Sequence, residues 1–180
     1  MTEPFLYIIN GTPDKPIYSE TAPVQFKNPT KSLSLIPMTS RIMSMDRGFF
    51  TIDEINNDKS ILKTAYENTA KNKIRKNTDN DFISVRSSKT EVPCAAAFML
   101  RGKDKLFKAL EINISEYYII FITPDEVLFA EKQKFKPTQI KKITANIKNK
   151  LKSLFTGDND PVLAVEVFVY DETQNEYIEV

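Results

Sequence analysis

An apolar repeat at helical spacing constrains the fold of this chain more than any other feature. It runs from Pro137 to Phe155, in a sequence of 180 residues, and recurs every three or four positions. Proline suits the first position of a helix, because its missing N–H would have no partner there, and Gly157 marks the end. The pattern predicts a long amphipathic helix that docks on a sheet through Ile140, Ile143, Ile147, Leu151, Leu154 and Phe155.

The segment before that helix has the composition of a central strand. Glu116–Thr123 is rich in β-branched and aromatic residues, which predicts a strand covered on both faces. Thr123–Glu126 has proline at the second position of a turn, and Val127–Glu131 returns as a second strand. The sequence therefore predicts a hairpin in the middle of the sheet.

The remaining patterns predict two shorter helices and several short strands. Helical spacing predicts a helix over Lys59–Lys73, ended by Asn77–Asp81, and another over Lys105–Glu111, capped by Asp104. The apolar run Pro93–Leu100 is compatible with a strand or a helix, and its length favours a strand. Further strands are predicted at Phe49–Ile52, Phe82–Val85, Val162–Asp171 and Glu176–Val180.

Prolines dominate the N-terminal region. Six of the ten prolines lie within the first 37 residues and exclude a helix there. We expect Phe5–Asn10 to be a strand, and Val24–Phe26 and Leu33–Ile36 to be short edge strands or parts of an extended arm.

The predicted fold class is α+β. Residues 1–180 form a single domain with a mixed or antiparallel sheet of about five or six strands. The long C-terminal helix and the two shorter helices cover one face, and residues 1–47 form a proline-rich extended arm packed on the domain.

The composition excludes several classes of site. Histidine is absent, so Ser-His-Asp, Cys-His and His-based zinc sites cannot be built from this chain. A single cysteine, Cys94, excludes a disulfide scaffold, and its apolar surroundings predict an inert core thiol. Four scattered glycines form no phosphate-binding loop motif. The first ten residues lack the basic and apolar regions of a signal peptide, which with the lone cysteine predicts a cytoplasmic location.

Two kinds of carboxylate arrangement remain. Thr78–Asp81 and Gly157–Pro161 each place two acidic residues at i and i+2, but neither has the glycine and closing glutamate of a calcium loop, so we expect turns. Asp125 and Glu126 form the carboxylate pair best suited to acid–base catalysis, with solvation of the turn as the alternative. No metal site and no cofactor is predicted.

Lysine is concentrated just before and within the predicted long helix. Between positions 132 and 152 there is no acidic residue, whereas residues 153–180 contain seven acidic residues and no basic one. A cationic face of this kind concentrates phosphates or an acidic protein. The alternative is a solvated helix face neutralised by the acidic tail. The candidate binding residues are Lys132, Lys134, Lys136, Lys141, Lys142, Lys148, Lys150 and Lys152.

From Phe49 to Val180 the order of predicted elements resembles the uncharacterised bacterial YtpQ-like family. Relatives often have Ser-Ser-x-His before Glu-Val in the hairpin turn, where this chain has Thr123–Asp125. The resemblance implies an α+β fold and no particular activity. The matching stretches are Gly48–Thr51, Leu62–Asn68, Ala95–Leu100, Leu106–Leu110, Tyr118–Phe129 and Val167–Asp171.

These features predict a non-enzymatic intracellular bacterial interaction or adaptor protein that binds a protein partner. An acidic partner is favoured. One alternative is polyanion or weak nucleic-acid binding through the lysine-rich helix, and another is a carboxylate-dependent enzyme. No transmembrane segment is predicted, because no run of about 18 uncharged apolar residues occurs.

Overall fold

A six-stranded antiparallel sheet forms the centre of the protein. The computed structural model describes residues 4–10, 33–39, 57–58, 60–79, 81–89, 93–100, 103–154, 163, 166–174 and 176–180. The strands are β1 Pro4–Asn10, β2 Leu33–Thr39, β3 Ile74–Asp79, β4 Phe82–Ser87, β5 Tyr117–Thr123, β6 Glu126–Glu131, β7 Phe168–Asp171 and β8 Glu176–Glu179. The helices are α1 Ser60–Ala70, α2 Lys103–Ala109 and α3 Pro137–Leu154, with 3₁₀ turns at Ala95–Met99 and Ile114–Glu116.

The strand order in this sheet is β3-β4-β6-β5-β7-β8, so β5 lies in the interior and β3 and β8 lie at the edges. The β5–β6 hairpin pairs Tyr117 with Glu131 and Phe121 with Val127, and the register shifts near its turn. The predicted central hairpin is therefore confirmed.

Both faces of the sheet are covered. Successive residues of β5 point to opposite faces, and those on each face are apolar. Ile119 and Phe121 pack with α1 and α2 on one side, which we call the α1/α2 face. Tyr118, Ile120 and Ile122 pack under α3 on the other side, the α3 face.

The α+β class, the antiparallel sheet and the three helices agree with the sequence analysis. The distribution of the helices differs, since the sequence analysis places all three on one face. The alternation within β5 leaves two apolar faces, and each needs a cover.

Two local predictions are wrong. The sequence predicts that Asn77–Asp81 ends the first helix, but β3 occupies Ile74–Asp79, because its backbone pairs with β4 from Ile74 opposite Ser87 onward. The run Pro93–Leu100 contains a buried 3₁₀ turn instead of a strand. Its backbone turns inward where the N–H groups of Cys94 and Ala95 both donate to the carbonyl of Pro124.

Two other boundaries shift. Helix α2 begins at Lys103, so Asp104 lies in its first turn and is not the residue before it. The strand predicted at Val162–Asp171 is shorter, because β7 begins at Phe168.

The N-terminal strands form a separate two-stranded sheet. Antiparallel β1 and β2 pair Leu6 with Pro37, which confirms the strands predicted at both places. The backbone N–H of Leu6 donates to Thr69 Oγ1 at 2.8 Å, and Asn68 Nδ2 donates to the carbonyl of Pro4 at 2.9 Å, so α1 holds β1 in place. The predictions at Val24–Phe26, Phe49–Ile52 and Gly157–Pro161 lie outside the described residues. Across the described ranges, no helix is long and apolar enough to cross a membrane.

Candidate binding surface

Helix α3 presents one side to the sheet and the other to solvent. Ile140 and Thr144 are fully buried, and Ile147 and Leu151 pack partly against the α3 face. Leu154 is 74% exposed and lies beyond this contact, contrary to the prediction that it docks. The helix is well anchored along its middle turns, so its outward residues have fixed positions.

The lysines of α3 lie on its outward side. At 100° per residue, Lys141, Lys148 and Lys152 fall within about 40° of one another along one flank. Lys142 and Lys150 carry the charge further around the helix. We call these five residues the α3 lysine face; Lys148 is partly exposed and the other four are exposed.

Four of the five lysines of this face resemble other exposed lysines, such as Lys63 and Lys105, in that no polar contact of the side chain is described. Within the described ranges, Lys141, Lys142, Lys148 and Lys150 form neither a side-chain hydrogen bond nor an ion pair. By contrast, Lys71 lies 3.3 Å from Glu67. Lys141, Lys142, Lys148 and Lys150 therefore carry positive charge that no described carboxylate neutralises.

The three candidate lysines before α3 lie in different environments. Lys132 Nζ donates to the carbonyl of Ser115 at 2.7 Å and lies 5.8 Å from the ring centroid of Tyr118; its partial burial lowers the pKa of the ammonium. Lys134 lies 3.3 Å from Glu131. Lys136 is exposed, and its backbone N–H donates to Gln139 Oε1 at 2.8 Å. Lys136 thus belongs to the start of α3, where Gln139 completes half of a capping box.

The candidate catalytic carboxylate is engaged in a structural contact. Glu126 Oε2 lies 2.7 Å from Arg86, and Glu126 Oε1 accepts from the Ser84 hydroxyl at 2.6 Å. These contacts tie neighbouring strands β4 and β6 together at their ends. These contacts give Glu126 a structural role in the sheet.

Cys94 is a buried thiol, as the sequence predicts. Its Sγ donates to the carbonyls of Val85 and Asp125 at 3.3 and 3.1 Å. Burial raises the pKa of this thiol, and the nearby Asp125 and Glu126 charges add to the rise. The thiolate that nucleophilic chemistry requires is therefore strongly disfavoured.

Of the two predicted turns with paired acidic residues, only part of Thr78–Asp81 lies within the described residues. It contains no assembled cation site. Asp81 lies 3.9 Å from Lys134, which is a cation of the chain itself. In the parts of the chain that the structure describes, no three potential metal ligands of the His, Cys, Asp or Glu type lie together.

One cluster was missed by the sequence analysis. Lys103 is only 4% exposed, and its Nζ lies 5.1 Å from the ring centroid of Tyr170 and 5.7 Å from that of Tyr177. Burial lowers the pKa of this ammonium. Tyr177 donates to the carbonyl of Phe98 at 2.6 Å, and Tyr170 donates to Asp104 Oδ1 at 3.2 Å.

This cluster joins α2 to β7 and β8 through cation–π contacts. Its members come from distant parts of the sequence, so no local pattern could reveal it. Beside it, a cleft of about 430 Å³ has Phe107 and Ile112 as apolar walls and Asp104, Lys108 and Glu172 as charged groups. Two negative charges and one positive charge in an open cleft select no particular ligand chemistry.

Comparisons of the chain with protein-family models, with curated proteins and with solved structures find no match. The resemblance to the YtpQ-like family therefore stays a prediction.

Proposed function

We propose that this protein is a non-enzymatic interaction protein that binds an acidic segment of a partner protein through the α3 lysine face. The observation that carries the proposal is the set of exposed or partly exposed lysines, Lys141, Lys142, Lys148 and Lys150, without a described carboxylate partner. As part of the same proposal, we place it in the bacterial cytoplasm, which agrees with the free thiol of Cys94, and we retain the YtpQ-like resemblance.

The spacing of these charges supports the proposal. Lys141 and Lys148 are seven residues apart, or about 10 Å along the helix axis. This is close to one Debye length at 0.1 M salt, so their fields overlap and reinforce each other. Because α3 is anchored through Ile140 and Thr144, the positive surface needs little ordering when a partner binds.

An acidic protein is favoured over nucleic acid by the types of residue present. Arginine, which contacts phosphate with two parallel hydrogen bonds, is absent between positions 132 and 152. Phe135 is the aromatic residue nearest the start of α3, and its ring stacks on Phe82 with a centroid distance of 5.3 Å. One face of this ring is therefore occupied, and Phe135 is the single aromatic residue between positions 132 and 152 on which a base could stack.

The proposal is tested with two polyanions. Poly-L-glutamate represents an acidic protein segment, and a DNA duplex of matched total charge represents nucleic acid. We expect the wild-type protein to bind poly-L-glutamate at low salt at least as tightly as the duplex. The double variant Lys141→Glu/Lys148→Glu should weaken this binding at least tenfold.

The matched control is Lys63→Glu/Lys105→Glu, which makes the same change in net charge at two exposed lysines outside α3. It should retain most of the binding. Equal loss in both double variants would show that only net charge matters and would refute the assignment to α3. Duplex binding at least tenfold tighter than poly-L-glutamate binding, and resistant to salt, would instead favour the nucleic-acid alternative.

A further inference from the structure

The two edges of the six-stranded sheet carry opposite charge. Within the described ranges, neither β3 nor β8 has a strand on its outer side. The basic edge contains Arg75 and Lys76, with Lys73 immediately before it, and all three are exposed; Asp79 is the one acidic residue of β3 and lies at its far end. The acidic edge contains Glu176 and Glu179 of β8. Unpaired edges of this kind offer rows of backbone N–H and C=O groups to another strand.

An apolar side chain lies on the acidic edge. Ile178 is 43% exposed and is, with Leu154, one of two large apolar side chains that the described residues leave exposed. Its neighbour Tyr177 is buried in the α1/α2 face, so the alternation of β8 directs Ile178 to the α3 face and Glu179 to the α1/α2 face. The edge thus combines a charged and an apolar residue beside unpaired backbone.

The charges favour pairing of unlike edges over pairing of like edges. Two β3 strands paired about Arg75 or Lys76 would bring these cations against each other, and two β8 strands paired about their middle would place Glu176 opposite Glu179; like charges directly opposite destabilise a strand pair. Pairing of β3 with β8 brings opposite charges together. We propose that copies of this chain associate head to tail, with β3 of one copy adding to β8 of the next.

The geometry of the sheet permits this pairing. All neighbouring strands are antiparallel, so β3 and β8 run in opposite directions. A second copy placed beside the first without rotation therefore continues the antiparallel sheet and keeps both faces aligned.

One register satisfies the charges on both faces. With Arg75 opposite Ile178, Lys76 lies diagonally from Glu179 on the α1/α2 face, where its Nζ also lies 3.6 Å from Glu111 of its own chain. Arg75 lies diagonally from the position of Glu176 on the α3 face. Diagonal neighbours are within reach of long side chains. The interface is short, so the association is weak and depends on concentration, and because it is heterologous it does not close at a dimer.

The test measures self-association by sedimentation velocity from micromolar to millimolar concentration. We expect the mean mass of the wild type to rise with concentration and this rise to weaken with salt. Lys73→Glu/Arg75→Glu makes the β3 edge acidic and leaves the hydrogen bond from Lys76 Nζ to the Leu110 carbonyl in place. Glu176→Lys/Glu179→Lys makes the β8 edge basic. Each double variant alone should associate at least tenfold more weakly.

Mixing tests whether the two altered edges pair with each other, and a charge-matched variant of α3 controls for a general effect of net charge. An equimolar mixture of the two double variants should associate again, as should the single chain that carries all four substitutions. Circular-dichroism melts confirm that each variant is folded. A wild type that stays monomeric at every concentration, or double variants that associate unchanged or fail to restore association when mixed, would overturn the proposal. Equal loss in Lys141→Glu/Lys142→Glu would also overturn it, because that variant changes α3 and neither edge.

Discussion

At the scale of single residues, two buried threonines have the same burial and different partners. Thr69 and Thr144 are both fully buried. Thr69 Oγ1 accepts from the Leu6 N–H at 2.8 Å and donates to the Ala65 carbonyl, so it links β1 to α1. Among the described residues, the hydroxyl of Thr144 donates only to carbonyls of its own helix, those of Ile140 and Lys141. Burial alone therefore does not show which of the two hydroxyls contributes more to stability.

Replacement of each threonine by valine tests this difference. Thr69→Val leaves the backbone N–H of Leu6 buried without an acceptor, which costs about 1–3 kcal/mol. Thr144→Val removes a hydroxyl whose acceptors keep their helical partners, so we expect a change below about 0.5 kcal/mol. Urea unfolding measures both free energies. Equal losses in the two variants would contradict the role given to the Leu6–Thr69 bond.

Tyr177 provides a prediction about pH. Burial raises the pKa of its hydroxyl well above the ordinary value of 10, and Tyr170 and Asp104 add to the rise. Above pH 10 the unfolded chain releases this proton while the folded chain retains it. The stabilisation is therefore complete below pH 10 and is lost as the pH rises from there toward the folded pKa.

The variant Tyr177→Phe separates this effect from the hydrogen bond. It loses the bond to the Phe98 carbonyl, which costs about 1 kcal/mol at neutral pH. It should also reduce the alkaline fall in the free energy of unfolding by about 1.4 kcal/mol per pH unit. Urea unfolding at pH 8 and at stepwise higher pH gives both values, with Tyr66→Phe as control. An unchanged alkaline slope in Tyr177→Phe would refute the assignment.

At the scale of elements, α3 is the helix that the sequence predicts most completely. Its apolar repeat and proline start give bounds of Pro137–Phe155, and the structure has Pro137–Leu154. Strand β3 shows the opposite case, since Arg75, Lys76 and Asn77 have no strand-like pattern. It is a strand because β4 offers a ladder of backbone partners, which no local pattern contains.

Ile147→Asp tests whether α3 docks as described. Ile147 packs partly against the α3 face, so a carboxylate there loses hydration without gaining a partner. We expect the free energy of unfolding to fall by about 3 kcal/mol or more. Asn146→Asp adds the same charge one residue earlier at an exposed position and should change little. Identical thermal melts for the two variants would show that this side of α3 is not packed.

At the scale of the whole molecule, the sequence predicts the class of fold better than its assembly. The strong patterns of β5 and α3 determine an α+β core, because each must bury an apolar side. Which face each helix covers depends on contacts between distant residues, as does the position of Lys103 between Tyr170 and Tyr177. The α3 lysine face could be predicted because charge is read directly from residue type, whereas the absence of a described carboxylate partner at Lys141, Lys142, Lys148 and Lys150 required the structure.

The measurement that tests the central claim most directly is a titration of isotopically labelled protein with poly-L-glutamate, followed by amide chemical shifts in two-dimensional NMR. The account predicts that the largest shifts occur in residues 138–153, with smaller shifts at the basic edge around Arg75, and that the α3 shifts disappear in Lys141→Glu/Lys148→Glu. Shifts that are largest outside α3, or that persist at α3 in this variant, would contradict the claim that the α3 lysine face is the binding surface.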